Sequence, residues 1–166
     1  MPGNDGAQGQ QGIQGVQGPP GAAGSVKCRL AADDARSVTA KNNLTGMAFV
    51  LAPNTVYSYE FVLYTTANAT TVGVQFSETF DGTVTAWRSQ FMGPGMATTL
   101  PPTPDATASP HDFNPLASQG NVAGEVRISG TIEVGASGGT LQLQHGSETA
   151  TLTTVLRGSW GVLYQH

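Results

Sequence analysis

The chain has little charge, a single cysteine and no long apolar run, and each shortage removes a class of protein. Charged residues are 11% of its 166 residues, against about 25% in an ordinary soluble domain. The net charge is −4, and the few Lys and Arg are scattered rather than clustered, so there is no nucleic-acid footprint. Cys28 stands alone, which excludes an intrachain disulfide and leaves an interchain bridge open by count. A small, buried, hydrophobic role is expected for it. No window of about 18 apolar residues exists, so no helical membrane span is expected. Neither a nucleophile elbow, a phosphate loop nor a zinc motif is present, and no cofactor, metal site or catalytic residue is assigned. With so little charge, the surface must be covered mainly by Thr, Ser, Asn and Gln. That suits a durable extracellular or particle-borne protein better than a cytosolic enzyme.

What is abundant is glycine, and it is periodic. Gly3, Gly6, Gly9, Gly12, Gly15, Gly18, Gly21 and Gly24 occupy every third position. This is the collagen pattern, because only glycine fits at the axis where three polyproline-II strands meet. A flexible Gly/Gln linker is the competing reading, but linkers keep no strict period. At about 3.1 Å per residue, a fully wound rod would span roughly 65–70 Å. Its composition is poor. Only Gly18-Pro19-Pro20 carries proline after glycine, and Gln8, Gln11, Gln14 and Gln17 fill Y positions. The rod therefore needs strands held in register by a trimeric head, which raises their local concentration. Two parts follow, a stalk over residues 1–24 and one globular domain over residues 25–166, together expected to be a homotrimer.

The second part reads as all-β. Val26, Cys28 and Leu30 alternate with Lys27 and Arg29, and 47–51 is a short apolar run ending at the Pro53-Asn54 turn signal. Thr55 to Thr65 is the strongest strand. Tyr57, Tyr59, Phe61 and Leu63 share one face, and Val56, Ser58, Glu60, Val62 and Tyr64 the other. Two apolar-capable faces imply a central or an interface strand. Further strands are expected over 72–76, 84–91, 122–134, 141–143, 152–156 and 160–164. Only Ala31 to Arg36 offers a single helical turn. Eight or nine short strands imply a two-sheet sandwich, most simply a jelly roll. Residues 92–119 carry six prolines and little periodicity, and a loop this long in a compact domain is usually functional or disordered. It is expected on the surface, clasping a neighbouring subunit or facing a receptor, with Phe91, Phe113 and Leu116 as anchors. Tyr57 and Tyr59 are the strand's candidate interface residues.

Candidate chemistry is sparse. His111, His145 and His166 have no metal-ligand spacing with another His or Cys. His111 reads as a solvated loop residue, and His145, continuing the Leu141/Leu143 face, as a satisfied histidine of the core or of a subunit interface. Asp33 and Asp34 lack a calcium-loop pattern and read as a solvated turn. The sequons at Asn43 and Asn68 read as coincidental, because Met1-Pro2 leads straight into the repeat with no leader signal.

A collagen repeat followed by such a sandwich resembles the complement-component/tumour-necrosis-factor-like trimeric heads, with the segment 54–61 (Asn-Thr-Val-Tyr-Ser-Tyr-Glu-Phe) similar to their aromatic strand. It is more similar to collagen-containing bacteriophage virion proteins, in the patterns at 43–46, 54–57, 70–74, 139–143, 146–148 and 157–163. The resemblance covers most of the head and consists of packing and turn patterns. It implies a non-enzymatic virion-surface protein assembled in the host cytoplasm, a minor tail protein or fibre tip. Other virion proteins are its implied partners, along with a host cell-surface glycan or receptor. Fibres of that type usually carry an N-terminal anchoring domain, whereas here the repeat begins at residue 3. A capsid head-decoration trimer is therefore an alternative, and a glycan-processing tail spike a more distant one.

Overall fold

A computed structural model describes residues 24–69, 72–93, 111–113 and 124–166. They form eleven strands: β1 (Val26–Arg29), β2 (Asp34–Arg36), β3 (Asn42–Leu51), β4 (Val56–Ala67), β5 (Val74–Phe80), β6 (Val84–Met92), β7 (His111–Phe113), β8 (Gly124–Val134), β9 (Gly139–Ser147), β10 (Thr153–Val155) and β11 (Trp160–Gln165). Among the described residues there is no helix. All pairings are antiparallel.

Two sheets result. The larger has β4 at its centre. Along one edge β4 pairs with β8, which pairs with β6. Its other edge is shared: β11 takes residues 57–62 and carries β1, while β10 takes residues 65–67 and carries β2. The smaller sheet runs β3-β9-β5-β7. Four of these pairings are nested in sequence, β1 with β11 outermost, then β3 with β9, β4 with β8, and β5 with β7 innermost.

The nesting follows from side-chain alternation. Each long strand has one apolar row, and successive strands must turn that row towards the same interior. In β4 the row is Tyr57, Tyr59, Phe61 and Leu63, and in β8 it is Val126, Ile128, Ile132 and Val134; all eight are buried. β6 adds Trp87 and Phe91, and from the other sheet come Phe49, Leu51, Phe76, Phe80, Leu141 and Leu143. Phe49 stacks on Phe61 across the sheets at 5.3 Å between ring centroids. Burying each such side chain stabilises the fold by about 1.5–3 kcal/mol. β4 is thus the central strand that its two faces imply.

The sequence reading needs two corrections here. The single helical turn expected in residues 31–36 is instead strand β2, which satisfies its backbone by pairing with β10. Asp34 and Arg36, two apart, lie on one side of it and are joined by a two-point ion pair. The long loop expected over residues 92–119 is also interrupted. His111–Phe113 forms β7 and closes the edge of β5, Phe113 opposite Phe76. Three residues are too few for alternation to announce a strand.

Candidate functional site

Two groups of polar side chains cross the apolar interior from sheet to sheet. The first centres on Glu78 of β5. It is 0% exposed, and Tyr59 Oη donates to its Oε2 at 2.9 Å. Trp87 Nε1 in turn donates to Tyr59 Oη at 2.9 Å, and the Ser89 hydroxyl bonds to the carboxyl. Oε1 has no partner. Burial pushes the Glu78 carboxyl up to about 7, against the lowering effect of the Tyr59 and Ser89 hydrogen bonds. Burial, with the Glu78 charge behind it, raises the Tyr59 phenol as well. Backbone geometry makes room for this group. Gly130 of β8 faces Tyr59, and a Cβ there would lie 2.5 Å from the Tyr59 hydroxyl and 2.5 Å from the Arg88 carbonyl oxygen. Only a bare backbone lets the phenol pass.

The second group lies where β2 and β10 meet β9. His145 Nδ1 is 3.0 Å from Asp34 Oδ1, and its Nε2 is 3.1 Å from Thr153 Oγ1. A neutral ring with its proton on Nδ1 satisfies both, donating to Asp34 and accepting from Thr153. Burial lowers the His145 pKa, a tendency the Asp34 carboxylate opposes and Arg36 reinforces. For Asp34, burial would raise the pKa, but hydrogen bonds and charge from Arg36 and His145 prevail and lower it. Acid, imidazole and hydroxyl stand in the order that activates a nucleophile. Here His145 and Thr153 are both 0% exposed, so no substrate reaches the hydroxyl and the set acts as a clamp between sheets. His145 is the satisfied core histidine expected from its place in the Leu141/Leu143 row.

The exposed side of the larger sheet is the most featured surface. Val56, Tyr64, Met92 and Tyr164 are four of the eight large apolar side chains exposed among the described residues, and all four point outward from this sheet. Between them is a polar floor. A hollow of about 330 Å³ is bounded by Ser58, Gln90, Ser129 and Thr131 over Gly130. Next to it, a second of about 300 Å³ is lined by Glu60, Met92 and Arg127. Arg127 bridges Glu125 at 2.7 Å and Glu60 at 2.9 Å. The outer side of the smaller sheet is plainer. Val50 is its one large exposed apolar side chain among the described residues, in a row with Thr140, Gln142 and Gln144 on neighbouring β9.

Of the candidate interface residues, Tyr57, Tyr59 and Phe91 are buried inside one chain, at 4%, 3% and 1% exposure. Their aromatic bulk fills the core, so they offer no surface to another subunit, and the interface assignment is corrected for all three. The opposite face of β4 carries the exposed residues instead. The side chain of Phe113, together with Leu116 and the glycines from Gly3 to Gly21, lies outside the described residues. Gly24 is exposed, with nothing within 4 Å of where a Cβ would stand. Cys28 is half-buried rather than buried. It packs against the core's edge, and burial pushes its thiol up to about 11 although backbone hydrogen bonds pull the other way. Asp33 accepts the backbone N–H of Arg157 at 2.7 Å, so the solvated turn expected at Asp33-Asp34 is a bonded one. The Glu78 group went unseen in sequence. Its one signal, a carboxylate in the inward register of a strand whose neighbours are Phe76 and Phe80, needs the register to be known first.

No helix of the described residues is long and apolar enough to cross a membrane. No family model and no curated protein matches the chain. Among solved structures, a similarity is found to a crystal structure of the infectious bursal disease virus VP2 subviral particle, at 11% identity and a TM-score of 0.28. The match covers 85% of this chain and 39% of that one, so this chain spans well under half the length of VP2.

Proposed function

We propose that the protein is a non-enzymatic structural component of a virus particle, a homotrimer with a collagen-like stalk and an exposed jelly-roll head. The observation that carries this reading is the unbroken glycine period from Gly3 to Gly24, since a collagen helix has three strands. Nested pairing of four strand pairs over two antiparallel sheets supports the jelly-roll description, a form common in capsid and lectin domains. The copies meet through the outer side of the larger sheet, where exposed apolar groups concentrate around an Arg127–glutamate network. The resemblance of residues 54–57 and 157–163 to collagen-containing phage proteins supports reading the trimer as a phage-surface fibre tip or minor tail protein that touches other virion proteins and a host surface glycan or receptor.

Light scattering tests the assembly. A mass of three times 17.1 kDa is expected at micromolar concentration, and a mass of 17.1 kDa refutes it. Immunogold labelling of purified particles tests the location: tail labelling is expected, capsid labelling makes the protein a decoration trimer, and unlabelled particles remove the virion role.

A further inference from the structure

The chain has 11 acidic and 7 basic residues, and its arginines differ in their partners. Arg36 and Arg127 are paired with carboxylates. Arg29 and Arg157 have no carboxylate partner among the described residues. They stand together. Residues 30–33 lead from β1 to β2, and residues 156–159 lead from β10 to β11. The two segments lie side by side where the edge of the larger sheet changes from β11–β1 to β10–β2. Leu30 N donates to Ser159 O at 2.8 Å and Gly158 N to Leu30 O at 3.0 Å. Leu156 N donates to Tyr64 O at 2.7 Å, and the Ser159 hydroxyl to Leu156 O at 2.7 Å. This corner is held on every side.

Gly158 has φ +89°, a conformation that side-chain-bearing residues rarely adopt, and a Cβ there would lie 3.7 Å from Arg29 Nη2. The Arg29 guanidinium therefore rests over Gly158, one residue from Arg157. Both arginines line a hollow of about 560 Å³ with Leu30, Ala31 and Gly158. Asp33 is beside this corner, and its Oδ1 is engaged by the Arg157 backbone N–H. Edge protection explains charged Lys27 and Arg29 on the outermost strand. It does not explain Arg157, which sits on a turn, nor two like charges converging on one hollow.

We propose that this hollow binds an oxyanion, the phosphate or carboxylate of a surface polymer, held by the guanidinium forks of Arg29 and Arg157. A planar fork matches two oxygens of either group, and two forks on a bonded scaffold need little reorganisation to close on one anion. The inference rests on the proposed function only in placing the polymer on a host surface; the charge geometry stands without it.

The test is a titration of the full chain, followed by NMR of the arginine side-chain and backbone signals. Inorganic phosphate and galacturonate are the probes, with galactose as the neutral control. A dissociation constant of about 1 mM is expected for the preferred anion, with shifts confined to residues 29–31 and 157–158. Arg29→Gln and Arg157→Gln should each weaken it about tenfold, and Lys41→Gln, just before β3 of the other sheet, should leave it unchanged. Phosphate binding more tightly points to a phosphodiester polymer, and galacturonate to a uronate polymer. The proposal falls if neither anion shifts these signals, if galactose binds equally, or if Lys41→Gln weakens binding as much. It falls equally if Arg29→Gln or Arg157→Gln lowers the particle mass of the protein, which would make these arginines subunit contacts. A wild-type mass of 17.1 kDa with anion binding intact would instead remove the trimer and keep the site.

Discussion

The two polar groups that cross the interior solve one problem in opposite ways. Glu78 is enclosed completely and meets only hydroxyl donors, so its carboxyl is pushed up to about 7 by the cost of burying its charge. Asp34 keeps its charge, because Arg36 grips it from the same strand and His145 from the other sheet. In this sandwich burial disfavours the charged form of the acid sealed in the core, whereas the acid near an edge keeps its charge because a cation reaches it. The expectations below break or sharpen that contrast, in order of decreasing size.

The largest effect is expected from Tyr59→Phe. The phenol is both donor to Glu78 and acceptor from Trp87, so removing one oxygen takes a buried hydrogen bond from each. At about 1–3 kcal/mol for each, the loss should be about 4 kcal/mol by urea denaturation. A loss under about 1 kcal/mol would mean that water replaces the phenol and the group is not sealed. Thr153→Val takes the hydroxyl from His145 Nε2 and its longer bond from the Arg36 carbonyl, at a position nearer the edge, and should cost only about 1–2 kcal/mol.

The pH dependences should have opposite signs. Glu78 has a folded pKa of about 7 against 4.5 unfolded, so the folded state holds the proton more tightly. Its contribution is fully present below about pH 4.5 and is lost as pH rises through about 7, a fall of about 3 kcal/mol. Asp34 and His145 are both lowered, so their contributions are present at higher pH and lost on acidification, His145 below 6.5 and Asp34 below 3.8. Wild-type stability should therefore peak on the acid side of neutrality. Glu78→Gln should flatten the fall towards pH 8 and leave the acid limb intact. Equal slopes in Glu78→Gln and wild type between pH 5 and 8 would show that the carboxyl is ionised in the fold.

How much of this was legible before folding depends on periodicity. The inward rows of β4 and β8 could be read residue by residue, because alternation over ten positions is unambiguous. The central place of β4 followed from its two apolar-capable faces. What failed was the step from "aromatic on a strong strand" to "interface". Tyr57, Tyr59 and Phe91 carry the same side chains a binding surface would, and only the packing of the second sheet shows that they face inward. β2 and β7 were missed because three residues hold no period. The Arg29–Arg157 hollow joins residues far apart in sequence, and nothing along the chain brings them together.

The smallest intrinsic effect belongs to the outer side of the larger sheet, and it tests the assembly most directly. Arg127 joins Glu60 and Glu125 there, with 41% of its side chain exposed in the single chain. Exposed ion pairs are worth about 0–1 kcal/mol, since water screens the charges and fixing the side chains costs entropy. Arg127→Gln in an isolated chain should therefore lower stability by about 0.5 kcal/mol. If copies meet on this side, Arg127 loses water and the two glutamates are left buried without their cation. The same substitution should then cost about 3 kcal/mol, make the melting temperature depend on protein concentration, and shift the mass from trimer towards monomer. Arg36→Gln, on the opposite edge strand, serves as the comparison: it should destabilise the chain without changing its mass. Should Arg127→Gln cost under about 1 kcal/mol while the trimer mass persists, the copies meet elsewhere, and the apolar groups around Ser58 and Ser129 face an outside partner instead.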